Sequence, residues 1–241
     1  MITLTPRLAV AASFVRHDSR LFDVGTDHAY LPIYLCERGR VAPSVASDIN
    51  VGPVERATAH IASSGLADRI TVVCTDGLTG LDRFAEDSRP LDIVICGMGG
   101  ELIAAILTAS PWVQKDGTRL ILQPMTHSEK LREYLLSSGF APVSERLCAE
   151  PHPKGGDRIY QIICAEYAPH GNTPTYSPAE LQTGRLYPPE DTILHTQLIE
   201  KTLHATTLCA NARRAAGLDT SAEDATIASL RAQLLNIGGL A

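Results

Sequence analysis

Short apolar β-type runs alternate with helical patterns through the first two thirds of this chain, and that alternation restricts the fold more than any other feature. Leu21–Val24 is followed by a helical pattern near 29–39, and Val45–Ile49 by one opening at Pro53, a favoured first-turn residue. Ile70–Cys74, Leu91–Cys96 and Arg119–Gln123 continue the runs, with helices expected at Glu101–Ala109 and Ser128–Ser138. Runs this rich in Val, Ile and Leu, joined through helices, predict a mostly parallel sheet covered on both faces. After Phe140 the order changes. Runs near 141–148 and 158–165 follow each other without a helix, which predicts a terminal antiparallel pair joined by the loop Pro151–Asp157.

Ala168–Ser177 is a break rich in Pro, Gly, Thr and Asn, and divides the chain into an α/β domain, 1–167, and a helical part, 178–241. In the second part Leu194, Leu198, Lys201, Leu203, Leu208, Ala212 and Ala215 form an imperfect stripe. Gly217 suits a helix stop, and Thr220-Ser221-Ala222-Glu223 is a capping-box pattern opening a second helix with Ile227, Leu230, Leu234 and Ile237. The expectation is a helical hairpin that needs the first domain, or a partner, to pack against.

Twenty-one Lys and Arg against 27 Asp and Glu leave a net charge of −6, and neither part of the chain is basic. Bulk charge therefore excludes capture of a polyanion except through a local patch. The six cysteines include no C-x-x-C pair and no metal spacing, so they are expected to be reduced core residues in a cytoplasmic protein without a bound metal. The apolar stretch Leu8–Val15 runs straight into charged residues and is expected to be a helix lying on the domain rather than a leader. No window approaches the roughly 18 consecutive apolar residues of a membrane span. Nothing in the pattern calls for an oligomer, and a monomer is expected.

In an open α/β sheet the ligand sits at the carboxyl ends of the strands, where the winding reverses. Three loops bring suitable chemistry there. After the first strand, Asp23-Val24-Gly25-Thr26 allows a close backbone approach at Gly25. After the second, Asp48-Ile49-Asn50 supplies a carboxylate for a ribose diol, and after the third Asp76-Gly77 can accept from an adenine amino group. The full G-x-G-x-x-G fingerprint of a pyrophosphate cradle is missing, and Asp27 beside the turn would repel phosphate. A nucleoside cofactor without phosphate and with a positive charge suits this set of acids, and S-adenosylmethionine is such a molecule.

The strings Asp23–Pro32 (DVGTDHAYLP), Asp48–Pro53, Asp76–Leu78, Asp92–Ile103 with its Gly97-Met98-Gly99-Gly100 turn, and Leu122-Gln123-Pro124 closely resemble the bacterial tRNA adenine-22 N1-methyltransferases, over roughly residues 4–167. The resemblance implies a Rossmann-like class I methyltransferase fold, S-adenosylmethionine as donor, a helical C-terminal part that helps hold tRNA, and transfer to N1 of an adenine in the D arm. The position of the methylated base rests on the resemblance alone. Asp48 stands where the family often has Glu, Met125 where it often has Asn, and the loop 151–157 is longer than usual.

Methyl transfer from a sulfonium is an in-line displacement, so the protein chiefly aligns the reactants and excludes water. Adenine N1 gains positive charge, which a carboxylate accepting from the exocyclic amino group would stabilise. Asp27 is the candidate for that role, with capping of the next helix as the competing one. Tyr30 could stack on an extracted base or pack at the helix start, and His28 could bond the base or a phosphate or serve structure. Gly97 and Met98 are expected against the cofactor, Gly99 and Gly100 to leave room for the acceptor ring or to form a plain turn, and Gln123 and Pro124 to line the same cleft. Arg7, Arg16, His17 and Arg20 around the first helix, and Arg213 and Arg214 on the tail, are the candidate phosphate contacts, with solubilising charge as the alternative. Few such contacts imply modest affinity and a shallow salt dependence. A small-molecule or protein acceptor, and a non-catalytic RNA-binding module, are the competing functions.

Overall fold

The computed structural model describes residues 2–41, 43–86, 88–151, 155–169 and 174–238. Strands β1 (Arg20–Val24), β2 (Ser44–Asp48), β3 (Ile70–Cys74), β4 (Leu91–Met98), β5 (Thr118–Pro124), β6 (Phe140–Pro151) and β7 (Asp157–Tyr167) form one sheet in the order β3-β2-β1-β4-β5-β7-β6. The first five are parallel, and β7 runs antiparallel to both β5 and β6. From β1 the sheet is wound outward in both directions, so the winding reverses beside β1 and β4.

Side chains alternate between the two faces as the pleat requires. Leu21, Ala46, Val94, Ile121 and Ile162 meet helices α1 (Pro6–Phe14), α2 (Tyr30–Glu37) and α3 (Val51–Ser63) through Ala11, Leu31, Ile33 and Ile61. Phe22, Val45, Ile93, Ile95 and Leu120 meet α4 (Gly100–Thr108) and α5 (Ser128–Ser137) through Ile103, Leu107, Leu131 and Leu135. With apolar partners on both sides the central strands lose any polar alternation, which is why they are near-continuous hydrophobic runs. Leu8–Val15 lies within or beside α1, on the domain as expected, and no helix among the described residues is long and apolar enough to cross a membrane.

Two local expectations are corrected. The helix expected to open at Pro53 begins at Val51, with Asn50 at its cap. The antiparallel strands are longer than their apolar runs, reaching Pro151 and Asp157, because polar residues pair as well as apolar ones at a sheet edge. Residues 152–154 of their connecting loop lie outside the described residues, as do 170–173 of the composition break.

Among the described residues the C-terminal part forms three α-helices, α6 (Pro178–Thr183), α7 (Thr192–Ala215) and α8 (Ser221–Gly238), rather than a hairpin alone. The capping box is found at Ser177 and Glu180, which opens α6. At Thr220 the hydroxyl donates to Asp224, and Glu223 pairs with Arg213. The inward stripe of α7 is His195, Ile199 and Ala210, while Leu208 is exposed. Among the described residues the buried apolar core of this part is Ala179, Ile199 and Leu230, with Leu203, Leu234 and Ile237 around them.

That core is small, and polar groups fasten the helices to the sheet. Arg132 on α5 and Glu145 on β6 form an ion pair with no exposure on either side chain. Arg132 also donates to Gln161 at 2.8 Å and to the Leu181 carbonyl at 2.9 Å. The second oxygen of Glu145 accepts from the backbone amides of Arg185, 2.8 Å, and Leu186, 3.0 Å. Buried Asp191, just before α7, accepts from the Leu147 amide at 2.8 Å and the Arg146 guanidinium at 2.9 Å.

Candidate active site

Two adjoining cavities open at the carboxyl ends of β1, β2 and β4, beside the reversal in winding. One, of about 280 Å³, is lined by Gly25, Asp48, Ile49, Asp76, Gly77, Met98 and Leu102 among others, and contains two carboxylates but no basic side chain. Its neighbour, of about 210 Å³, shares Gly25 and Cys96 with it and adds Arg7, Asp23, Thr26, Asp27, His28 and Tyr30. A larger cavity, about 540 Å³, lies elsewhere, between α6, α7 and α8. It lacks the glycine turns and strand-end acids, and so the chemistry expected of a nucleoside site.

The turn after β1 is fixed by backbone bonds from the Gly25 and Thr26 amides to the Ser47 carbonyl at 2.8 and 2.9 Å. Gly25 has φ +75°, and a Cβ there would come within 2.3 Å of the Met98 methyl. Gly77 has φ +55° and would meet Ile106 at 2.9 Å. Both positions therefore need glycine for conformation and for space. Asp48 accepts from the Asn50 amide at 2.9 Å, which sets its carboxylate at the mouth of the first cavity. Asp23 is buried and accepts from the Thr26 hydroxyl at 2.5 Å. Burial pushes its carboxyl up to about 6, with nearby Asp48 adding to the rise against the lowering effect of the Thr26 bond. A second cavity holding Arg7 beside acidic Asp23 offers complementary charges to the carboxylate and ammonium of an amino acid. The first offers acids and close backbone to a sugar and base. Together they fit a phosphate-free adenosyl donor with an amino-acid tail.

Asp27 does not cap α2. The cap position belongs to Ala29, which receives no side-chain bond, and Asp27 instead accepts from the Arg56 guanidinium at 2.6 Å, with His28 Nε2 at 3.6 Å. Its side chain is 57% exposed and faces the second cavity. Tyr30, 40% exposed, stacks on His28 with ring centroids 5.1 Å apart and planes 8° apart.

Other assignments are redirected. Gln123 is fully buried: its carbonyl oxygen accepts from Arg7 at 3.0 Å and from the Gly97 amide at 3.1 Å, and its nitrogen donates to the Pro124 carbonyl at 2.8 Å. It is a strut beneath the cleft rather than a lining group, and Pro124 is buried beside it. Gly100 leaves no room for an acceptor ring, because a Cβ there would lie 2.2 Å from the His127 carbonyl; Gly99 faces the Thr126 hydroxyl. The reason for both is close packing of the β4–α4 and β5–α5 loops.

Arg16 is at the wrong end of the sheet for substrate. It is bonded to buried Asp92, near the start of β4, and to the carbonyls of Leu91 and Gly117, at the amino ends of the strands. A loop leaving α1 meets the sheet there, so the charge that looked like a patch is a structural pair. His17 and Arg20 sit at the same end, and His17 pairs with Asp18. Arg213 and Arg214 are bonded to Asp219, Glu223 and Asp224 across the α7–α8 turn. Of the basic residues named from sequence, Arg7 is the one at the cleft.

The sequence reading passed over Arg56 and His60 of α3, Leu102 and Ile106 of α4, and Arg158 and Lys201. Arg158, on β7, donates to the Met125 carbonyl just after β5, and Lys201, on α7, donates to the Asp157 carbonyl at the start of β7. Leu102 and Ile106 carry a sequence signal, being apolar yet off the α4 face that holds Ile103 and Leu107. The others carry none, since their significance depends on which loops are neighbours. Among the described residues no group of three or more His, Cys, Asp or Glu could hold a metal ion.

Residues 4–163 match the methyltransferase domain family. The chain is 33% identical over 165 residues to the tRNA (adenine(22)-N(1))-methyltransferase of Bacillus subtilis (strain 168), the match covering 68% of this chain and 66% of the relative. Its structure is similar to that of Sp1610 from Streptococcus pneumoniae in complex with S-adenosyl-L-methionine, with TM-score 0.78 and 29% identity over 97% of this chain and 100% of the other. It is also similar to the B. subtilis m1A22 tRNA methyltransferase TrmK, with TM-score 0.74 and 26% identity over 99% of each chain.

Proposed function

The chain belongs to the methyltransferase domain family, and on that premise we propose that it transfers a methyl group from S-adenosylmethionine to N1 of an adenine in the D arm of tRNA. One observation carries this reading: an exposed carboxylate, Asp27, lies beside stacked rings in the same cavity that offers Arg7 and Asp23 to the donor's tail. The similar B. subtilis protein, named for that reaction, supports the choice of base. Residues 1–167 would hold the donor and 178–241 would help to seat the tRNA, in the cytoplasm.

Bound S-adenosylmethionine supplies an electrophilic methyl on a sulfonium. Asp48 would hold the ribose diol, Asp76 the adenine amino group, and Arg7 with Asp23 the amino-acid tail. Asp27 would accept from the exocyclic amino group of the acceptor adenine and so offset the positive charge that grows on its ring. The bond from Arg56 is no obstacle, since ion pairs this exposed contribute only about 0.2–1 kcal/mol. Tyr30 and His28 would flank the base and exclude water. Arg158 and Lys201 replace Arg16, Arg213 and Arg214 as phosphate contacts.

Incubation with labelled S-adenosylmethionine and tRNA lacking the modification, followed by digestion to nucleosides, should place the label in 1-methyladenosine. Label in another nucleoside, or none in RNA despite donor binding, would remove this substrate. The buried acid gives a second expected result. Asp23 is neutral below about pH 6 and charged above it, so affinity for the cationic donor should rise by about tenfold from pH 5 to pH 7 and then level off. For stability the sign is opposite: a carboxyl raised in the folded state favours folding less as pH climbs from its ordinary 3.8 to about 6. Asp23→Asn should bind weakly and without this pH dependence; a wild-type dissociation constant equal at both pH values would exclude the role.

A further inference from the structure

Asp27 and Ala29 both have left-handed backbone, φ +49° and +56°, on either side of His28. Non-glycine residues hold such conformations only where their surroundings impose them. From within its own strand pair the turn has the bonds to Ser47 and one from the Ala29 amide to the Thr26 carbonyl at 3.0 Å. Further contacts come from one face of α3. Arg56 and His60 are spaced i, i+4, which puts both on the same side of the helix, and both reach this turn. Arg56 donates to Asp27 at 2.6 Å. His60 Nδ1 lies 3.2 Å from the His28 carbonyl. A carbonyl can only accept, so the proton is on Nδ1. The His60 ring stacks on His28 at 5.2 Å and on Tyr30 at 5.5 Å, closing a cluster of three near-parallel rings.

We infer that His60, with Arg56 one turn before it, is a positioning residue for the acceptor side of the reaction: α3 holds the Asp27–Tyr30 turn strained, aims the carboxylate, and sets the plane of the Tyr30 ring. This rests on the methyl-transfer reading above. The same helix begins at the loop carrying Asp48, so one rigid element registers the acceptor turn against the donor's sugar.

The test uses the full chain with His60→Ala and His60→Gln, the second keeping a side-chain donor without the ring. Three quantities are measured: amide hydrogen exchange over 25–30 against 44–50, the S-adenosylmethionine dissociation constant by calorimetry, and the single-turnover rate on tRNA. For His60→Ala the expectation is faster exchange confined to 25–30, donor affinity within about twofold of wild type, and a rate about 10- to 100-fold lower, the cost of misplacing a reactant by an ångström or less. His60→Gln should recover the exchange protection but not the rate. A wild-type rate in either variant overturns the inference, as does a loss of donor affinity in proportion to the rate, which would mark an ordinary packing residue. If His60→Ala does not fold, the rate and affinity of His60→Gln decide alone. Should the wild type methylate no tRNA, the substrate reading fails by itself, while the exchange data still decide whether α3 braces the turn.

Discussion

Asp27→Asn should bind S-adenosylmethionine within about twofold of wild type and yet turn over about 10²- to 10³-fold more slowly, the size of effect seen when one preorganised electrostatic contact to a transition state is removed. The reason is geometric. Asp27 lines the same cavity as Arg7 and Asp23, but its carboxylate is held by exposed Arg56 and, loosely, by His28. Its removal therefore leaves the donor's contacts in place. The neutral amide keeps the shape and one acceptor but loses the charge that offsets the cationic product. The competing role, capping α2, is ruled out by the cap position at Ala29. Full turnover of Asp27→Asn in single-turnover assays would show that the charge is not used.

Glu145→Ala should be the most destabilising single change outside the apolar core, by about 3–5 kcal/mol, because it strands a fully buried guanidinium. It also leaves the Arg185 and Leu186 amides without their acceptor. In a chain of 241 residues that corresponds to a fall in Tm of roughly 6–20 °C. Burial by itself would push the Glu145 carboxyl up, but Arg132 and the two amides outweigh it and hold the group below its ordinary value. A depressed carboxyl contributes its stability above the unfolded pKa, near 4.5, and loses it as pH falls through the folded value. The wild type should thus lose this part of its stability under acid conditions, and Glu145→Ala should not. Replacing both partners, Arg132→Met with Glu145→Leu, should recover much of the loss, since no buried charge is then left unpaired. A Glu145→Ala melting curve within 2 °C of wild type, an estimate well below the range above, would show that the pair does not fasten the helices.

The parts legible in the sequence share one property: each is signalled within a few residues. The parallel sheet followed from five apolar runs, most of them separated by helical periods, and the antiparallel pair from two runs with no helix between them. Gly25, Asp48 and Asp76 line one cavity, and their meeting at strand ends is legible because it needs only the order of strands and the residue that follows each. Errors entered where the partner lies far along the chain. Arg16 looked like a free cation until Asp92, 76 positions away, came to face it. Gln123 looked like a cleft residue, but its amide is spent on Arg7 and Gly97. Gly100 looked like open space and is filled by the backbone at His127.

The amino-acid order by itself determined that the chain would build a doubly covered parallel sheet, because hydrophobic period and turn chemistry are local and tertiary contacts only reinforce them. It also determined that acids and glycines would gather at one end of that sheet, since parallel strands all present their carboxyl ends together. Only the tertiary structure decided which charges are available for chemistry. Whether a side chain is a ligand or a strut depends on what the fold sets against it, and that partner can come from any distance in the chain. For the same reason it took the folded molecule to bring α3 over the Asp27 turn and to show that α6–α8 are held to the sheet by buried polar groups.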